Sequence, residues 1–338
     1  MPTRSRRPTI REVARLAGVS TATVSYVLND SAAITAETRR RVQEAIERLG
    51  YHPSGLARGL AGKATRTIGV LLPAASSGGD EHSVTQALAG ISEAVWSSPY
   101  TLLLSPAAGR SVAVFREKGA EGLLCFAGRD EECLAEAVRL GFPAVSLGQS
   151  PHPVPWVDTD HRRAGREVAL HLLRLGHTQL ALLSGGRPVT GAAERRQGFL
   201  EALAAHQLPV EPDLLLTAEP TFQGGYQAMD QLLALGARPG AVVCHSDTMA
   251  LGAIRAARNK GLAIPQDLAV VGFGDEPFAA YGEPPLTTVR EPLAQLGRRA
   301  AQLLLELLAT PDRPPAPAGE LLPAKLVVRE SCGSLMWI

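Results

Sequence analysis

Between residues 21 and 29 the chain carries Thr21, Thr23, Ser25, Tyr26 and Asn29 on the polar side of a stretch whose apolar residues, Val24, Val27 and Leu28, repeat at helical spacing. Hydroxyls and amides set on a short helix donate hydrogen bonds in fixed directions, which suits phosphate oxygens. Bond-breaking chemistry has no comparable arrangement. His245, Ser246 and Asp247 are adjacent in sequence, whereas members of a catalytic triad meet through folding. The segment GFGDEP (272–277) fails the dinucleotide fingerprint and GLAGKA (59–64) fails the phosphate-loop pattern. His161, His171 and His177 have no companion ligand series. Cys125, Cys133, Cys244 and Cys332 lack metal-ligand spacing and read as reduced, mostly buried thiols. No enzymatic activity, metal or cofactor is expected.

The elements that would position the polar face are legible upstream. Thr9 with Glu12 three residues later makes a capping box, and Ile10, Val13, Ala14 and Ala17 share one helix face. Gly18 suits a helix C-terminus, Ser20 can cap a second helix at once, and Val19 with Val24 fits a hydrophobic staple. Two short helices joined by a tight turn containing Gly form a helix-turn-helix, whose second helix lies in the DNA major groove. Thr35 can cap a third helix with Val42, Ala45, Ile46 and Leu49 on its apolar side, ended by Gly50. Arg39, Arg40 and Arg41 at its start are expected to be solvated or near phosphate rather than base-reading.

Charge supports this reading. Residues 1–63 hold 11 Lys and Arg against 5 Asp and Glu, a net of +6 in a chain whose total is only +1, so the remainder is acidic. The 338 residues suggest two or three domains. No segment approaches a membrane span and residues 1–8 lack the apolar centre of a signal peptide, so a cytoplasmic protein without membrane association is expected.

Residues 51–66 break the composition. Leu56 and Leu60 share a helix face, but Gly55, Gly59 and Gly62 each weaken a helix by about 1 kcal/mol. Two readings stand: a segment that folds only against DNA, with Arg58 and Lys63 near phosphate and Leu60 as a minor-groove wedge, or an interdomain linker with incidental leucines. Beyond it, candidate strands at 67–72, 101–104, 122–126, 144–147, 179–183, 214–217, 241–244 and 268–272 alternate with helices such as 164–175, 192–206, 247–260 and 293–308. That alternation predicts parallel sheets covered on both faces, and about 270 residues of it exceed one sheet, giving two α/β subdomains with a cleft. The Pro-rich tract 311–323 reads as a surface connection before a last strand at 325–328.

The segments TIREVARLAGVSTATVSYVLN, RVQEAIERLGYHPSGLARGLAG, TRTIGVLLP, RRQGF, HSDTMALGAIRAARNKGLAIPQDLAVVGFGD and PPLTTVRE follow one another in this order. The chain resembles bacterial LacI/GalR-family transcriptional regulators over nearly its whole length. The resemblance implies an all-α helix-turn-helix head over residues 1–50, a hinge over 51–66, and a dimerising, periplasmic-binding-protein-like α/β core of two parallel-sheet subdomains over 67–338. The first subdomain would take about 67–160 and 290–321, the second about 161–289 and 322–330. It also implies a homodimer on a near-palindromic double-stranded operator, repression, and control by a small polar, sugar-like effector in the core cleft. Phosphate contacts would fall on Thr9, Ser20, Thr23, Ser25, Asn29 and Tyr51, and base contacts on Thr21, Ala22 and Tyr26. Tyr26 cannot make the bidentate contact to guanine of an Arg, so readout would lean on thymine-methyl packing, single hydrogen bonds and DNA deformation. In the hinge, Ser54 replaces the usual Asn, and Ala57 and Leu60 match minor-groove positions.

The match thins in the effector pocket. Arg195 holds the position that anchors ligand hydroxyls or a carboxylate, Phe222 that of a stacking aromatic, and Ser246 and Asp275 those of further contacts. Yet Ser246 replaces an Asn, Gly274 an Asp that binds sugar hydroxyls, and Gly148 a polar residue. A pocket trimmed in this way admits a larger ligand, uses backbone and water contacts, or binds nothing tightly. The segment 74–83 lacks the usual aromatic turn and the helix at 112–118 is short. The rival reading is a solute-binding protein whose core senses a ligand without gene control; such a protein should carry a signal segment and no basic helical head.

Overall fold

The computed structural model describes residues 8–28, 34–51, 65–73, 80–106, 111–126, 131–186, 191–209, 211–236, 238–310 and 318–333. The chain divides into two compact units, Met1–Thr65 and Arg66–Ile338. The first contains helices α1 (Ile10–Ala17), α2 (Thr21–Leu28) and α3 (Ala36–Leu49). The Glu12 carboxylate accepts the Thr9 N–H at 2.7 Å and the Thr9 hydroxyl at 3.0 Å, fixing the start of α1. Gly18 ends α1 at φ 63°, and the Val19 N–H returns to the Ala14 carbonyl. Val13, Ala14, Ala17, Val24, Val27, Val42, Ala45 and Tyr51 close one small core, with Val19 packed against it.

Of the arginines opening α3, Arg41 is exposed, as expected, and also reaches back to α1. Its guanidinium donates from Nη2 to the carbonyls of Ala17 at 2.5 Å and Gly18 at 3.3 Å. It thereby satisfies the end of α1 and ties α3 to the turn.

In the second unit the strands are, in chain order, β1 (Thr67–Leu72), β2 (Thr101–Pro106), β3 (Ala120–Phe126), β4 (Ala144–Leu147), β5 (Trp156–Thr159), β6 (Leu180–Gly185), β7 (Leu215–Ala218), β8 (Ala241–Cys244), β9 (Ala269–Val271), β10 (Thr288–Arg290), β11 (Gly319–Leu322) and β12 (Lys325–Val327). Between them run α4 (Asp80–Trp96), α5 (Val112–Glu117), α6 (Glu131–Arg139), α7 (His161–Arg174), α8 (Ala192–Ala205), α9 (Phe222–Ala234), α10 (Asp247–Asn259) and α11 (Leu293–Ala309). Six strands form one parallel sheet in the order β11-β5-β4-β3-β1-β2, and four form another in the order β7-β6-β8-β9. Alternate residues of the second sheet enter separate cores, Leu183 and Val242 under α9 and α10, Leu182 and Val243 under α7 and α8. Both faces are therefore covered, as the apolar runs required.

The chain passes between the lobes three times: from β5 into α7, from β10 into α11, and from β11 to β12, which pairs antiparallel with β10. Here the sequence expectation needs correction. Residues 319–322, placed in a Pro-rich surface connection, form β11 and pair in parallel with β5. The strands β5 and β10 also lacked a sequence signal. Each is only three or four residues long, too short for a period to register.

Three helix pairs pack through reciprocal glycines. A Cβ on Gly165 or Gly198 would lie 2.1 or 1.8 Å from a backbone oxygen of the facing helix in the α7/α8 pair. Gly225 with Gly252 does the same for α9/α10, and Gly90 with Gly297 for α4/α11. These crossings bring helix backbones closer than side chains allow. Gly198→Ala is expected to cost about 1–3 kcal/mol by overpacking, seen as a fall of several degrees in the thermal midpoint of the second unit; an unchanged midpoint would show that the pair slides apart freely.

Candidate functional site

In the head, the Ser20 hydroxyl accepts the Thr23 N–H at 3.1 Å and lies 2.9 Å from the Thr23 hydroxyl, so α2 starts on a local hydrogen-bond pair. With Val24 and Val27 buried, Thr21 and Ala22 are exposed, Thr23 and Ser25 half-buried, and Tyr26 is 56% exposed. A phenol ring left in water on a short helix is an invitation to a partner surface, since burial of so large a group is normally favourable. Thr9 sits exposed at the start of α1. Tyr51 is 8% exposed and belongs to the head's core, so any phosphate contact from it comes from a ring that also holds the three helices together. Asn29, Ser54, Ala57 and Leu60 lie outside the described residues.

In the second unit the C-terminal ends of both sheets converge on Arg195, which α8 carries and which is 8% exposed. Its guanidinium donates from Nη1 to the His245 carbonyl at 2.9 Å, from Nη2 to Glu291 Oε1 at 3.1 Å and from Nε to His161 Nδ1 at 3.2 Å, with its carbon 4.5 Å from the centre of the Phe273 ring. His245 ends β8 in the second sheet. His161 lies 3.3 Å, through Nε2, from Asp158 at the end of β5 in the first. One buried cluster, Asp158, His161, Arg195, His245 and Glu291, thus joins two of the crossovers to both sheet edges. Burial, the Arg195 charge and His161 push His245 well below the ordinary imidazole range, so it stays neutral.

Ser246 caps α10, its hydroxyl accepting the Met249 N–H at 3.2 Å. The Asp247 carboxylate accepts the Thr288 hydroxyl at 2.5 Å and the Glu276 N–H at 2.8 Å. Burial pushes the Asp247 carboxyl up to about 6 from 3.8, against those hydrogen bonds. The folded protein therefore keeps this proton to higher pH than the unfolded chain. The cost to folding is absent below about pH 4, grows as pH rises towards 6, and reaches roughly 3 kcal/mol above it. Asp247→Asn should accordingly gain stability relative to the parent as pH climbs from 4 to 7. Thermal midpoints of both across that range check this, and parallel curves would remove Asp247 as the cause.

Asp275, expected among the effector contacts, has its two carboxylate oxygens on Arg329 at 2.5 Å and Arg290 at 2.6 Å. The two guanidinium groups hold it below its ordinary range, against the opposing effect of burial, and it works as a strut rather than an open acceptor. Gly274 and Gly148 stand at φ 125° and 104°, backbone that L side chains rarely adopt, so the missing polar groups at both positions coincide with a glycine-demanding chain path. Phe222 opens α9, is 43% exposed, and shares no hydrogen bond with the Arg195 cluster among those described. Across the lobes, His82 of α4 lies 3.9 Å from Glu276. Sequence reasoning missed Glu291, Asp158 and the part His161 plays. The available signal was a carboxylate directly after TTVR, in a segment already singled out for its order.

The sequence pattern of bacterial regulatory proteins of the lacI family matches residues 9–54, and that of the periplasmic binding protein-like domain matches 169–332. The HTH-type transcriptional repressor PurR of Vibrio cholerae is 34% identical over 88% of this chain and 90% of its own. The chain belongs to the LacI family. The ribose operon repressor of Haemophilus influenzae is 30% identical over 90% of this chain and 93% of its own. A lac repressor dimer bound to operator and the anti-inducer ONPF superposes with a TM-score of 0.86 at 29% identity, over 97% and 99% of the two chains. As a LacI-family member the chain is a DNA-binding transcriptional regulator with an effector-binding core, and not an enzyme. Operator DNA, small-molecule effectors and dimers are typical of the family. The four cysteines are buried, as expected. No helix among the described residues is long and apolar enough to cross a membrane.

Proposed function

We propose that this LacI-family regulator is a cytoplasmic repressor that binds a near-palindromic operator as a homodimer, reading bases with Thr21, Ala22 and Tyr26 and gripping phosphate with Thr9, Ser20, Thr23, Ser25, Asn29 and Tyr51. The observation that carries it is the outward face of α2, where Thr21, Ala22 and the ring of Tyr26 stand exposed, on a separately packed head. Residues 51–66 serve as the hinge, with Ser54, Ala57 and Leu60 towards the minor groove. A small polar effector sits where the two sheets converge, near Arg195, with Ser246 and Phe222 at its margin. Its binding shifts the population between two lobe arrangements and so the pose of the hinges.

Selection of bound duplexes from random DNA by the purified chain, repeated with a panel of sugars and nucleobases, tests the reading. A palindromic consensus whose recovery one metabolite changes supports it; a ligand-binding protein with no duplex preference contradicts it. In the same assay Tyr26→Ala is expected to alter the preferred bases at one or two positions per half-site, by about 1–3 kcal/mol each. An unaltered consensus would take Tyr26 out of base readout.

A further inference from the structure

Resting on the reading that the core senses a small effector, the geometry points to Glu291 as an internal counter-ion of Arg195 that makes the cleft select effectors without negative charge: uncharged polyhydroxyl or amine-bearing metabolites, to the exclusion of carboxylates and phosphates. An arginine recognises a carboxylate or phosphate by offering side-by-side N–H groups and an unneutralised charge. Arg195 lacks the unneutralised charge: three of its five N–H groups already donate, that of Nη2 to a carboxylate 10% exposed that follows β10 on a crossover.

The surroundings point the same way. Glu291 Oε1 also lies 3.5 Å from His161 Nδ1, and Asp158, 7% exposed, stands behind that ring. His245, the remaining basic side chain against Arg195, is held neutral by burial. The neighbouring carboxylates are already partnered, Asp247 by the Thr288 hydroxyl and the Glu276 N–H, Asp275 by Arg290 and Arg329. A second anion arriving at Arg195 would meet Glu291 at contact distance in a site of low dielectric, where like charges repel strongly. Hydroxyl and ammonium groups meet acceptors instead.

Calorimetric titration of inorganic phosphate into the full chain and three variants tests the assignment without knowledge of the natural ligand. Glu291→Gln keeps the shape of the side chain and removes its charge; Glu291→Asp keeps the charge. The parent and Glu291→Asp should show only the weak uptake of the basic head. Glu291→Gln should gain a site about ten- to hundredfold tighter, which Arg195→Met in the same background abolishes. Thermal midpoints confirm that each variant is folded, and should the double variant fail to fold, the contrast between Gln and Asp at 291 still decides. Phosphate bound by the parent as tightly as by Glu291→Gln, no gain in Glu291→Gln, an equal gain in Glu291→Asp, or a gain that survives loss of Arg195 would each overturn the proposal. Failure of the effector reading would appear separately, as operator binding that no uncharged metabolite alters.

Discussion

Val24→Asp is expected to abolish operator recognition while leaving the α/β core folded. Val24 is fully buried at the centre of an eight-residue core shared by three short helices. A carboxylate there has no partner, and burying an unpaired charge costs several kcal/mol. A head of about 50 residues with one small core has little more than that in reserve, so it unfolds. Affinity for the operator should then fall to the non-specific level, on the order of 10³-fold or more. The second unit has its own cores, none of which includes a head residue, so its thermal transition should not move. Fluorescence anisotropy on the selected duplex and calorimetry of the same sample check both halves. Operator binding within tenfold of the parent would mean that α2 is not the reader.

Arg195→Met is expected to be the most damaging conservative-volume change in the second unit. Removing the guanidinium strands the buried Glu291 and breaks hydrogen bonds to the His245 carbonyl and His161. Breaking a buried pair on one side costs about 3–5 kcal/mol, which in a unit of this size lowers the thermal midpoint by roughly 10 °C. If the loss comes from the stranded carboxylate, Glu291→Gln in the same chain should return a good part of it, with a coupling of about 1–3 kcal/mol in the double-mutant cycle. A midpoint that stays put, or two strictly additive changes, would show that the pair does not hold the crossovers.

Legibility in the sequence followed period and punctuation. Helices α1 to α3 could be read because Thr9, Ser20 and Thr35 cap them, Gly18 and Gly50 end them, and their valines repeat within a few turns. The β1, β4 and β8 spans were legible for a related reason, being short, mostly apolar runs. What local pattern could not carry was anything created by return of the chain. The strand β11 has its partner β5 some 160 residues earlier and exists because of that edge, so a Pro-rich neighbourhood masked it. Arg41 is exposed on α3, and its bond to the Ala17 carbonyl 24 residues earlier left no local mark in the sequence.

The site divides in the same way. Arg195 was picked out by its motif, but whether its charge is free depends on Glu291, 96 residues away. Asp275 was expected among the effector contacts, but Arg290 and Arg329 claim both its oxygens, 15 and 54 residues away. The reciprocal glycines were present in the sequence as Gly90 and Gly297 or Gly225 and Gly252, yet nothing local distinguishes a glycine that admits a neighbouring backbone from one that merely tolerates it.

Competition binding of the intact chain to its selected duplex, against random-sequence DNA at about 150 mM salt, tests the central claim most directly, because it separates base readout from the attraction of a basic head for any polyanion. A preference of roughly 10³-fold or more, lost in Val24→Asp and changed by an uncharged metabolite, is the predicted result. Equal affinity for both DNAs, with or without metabolite, would contradict it.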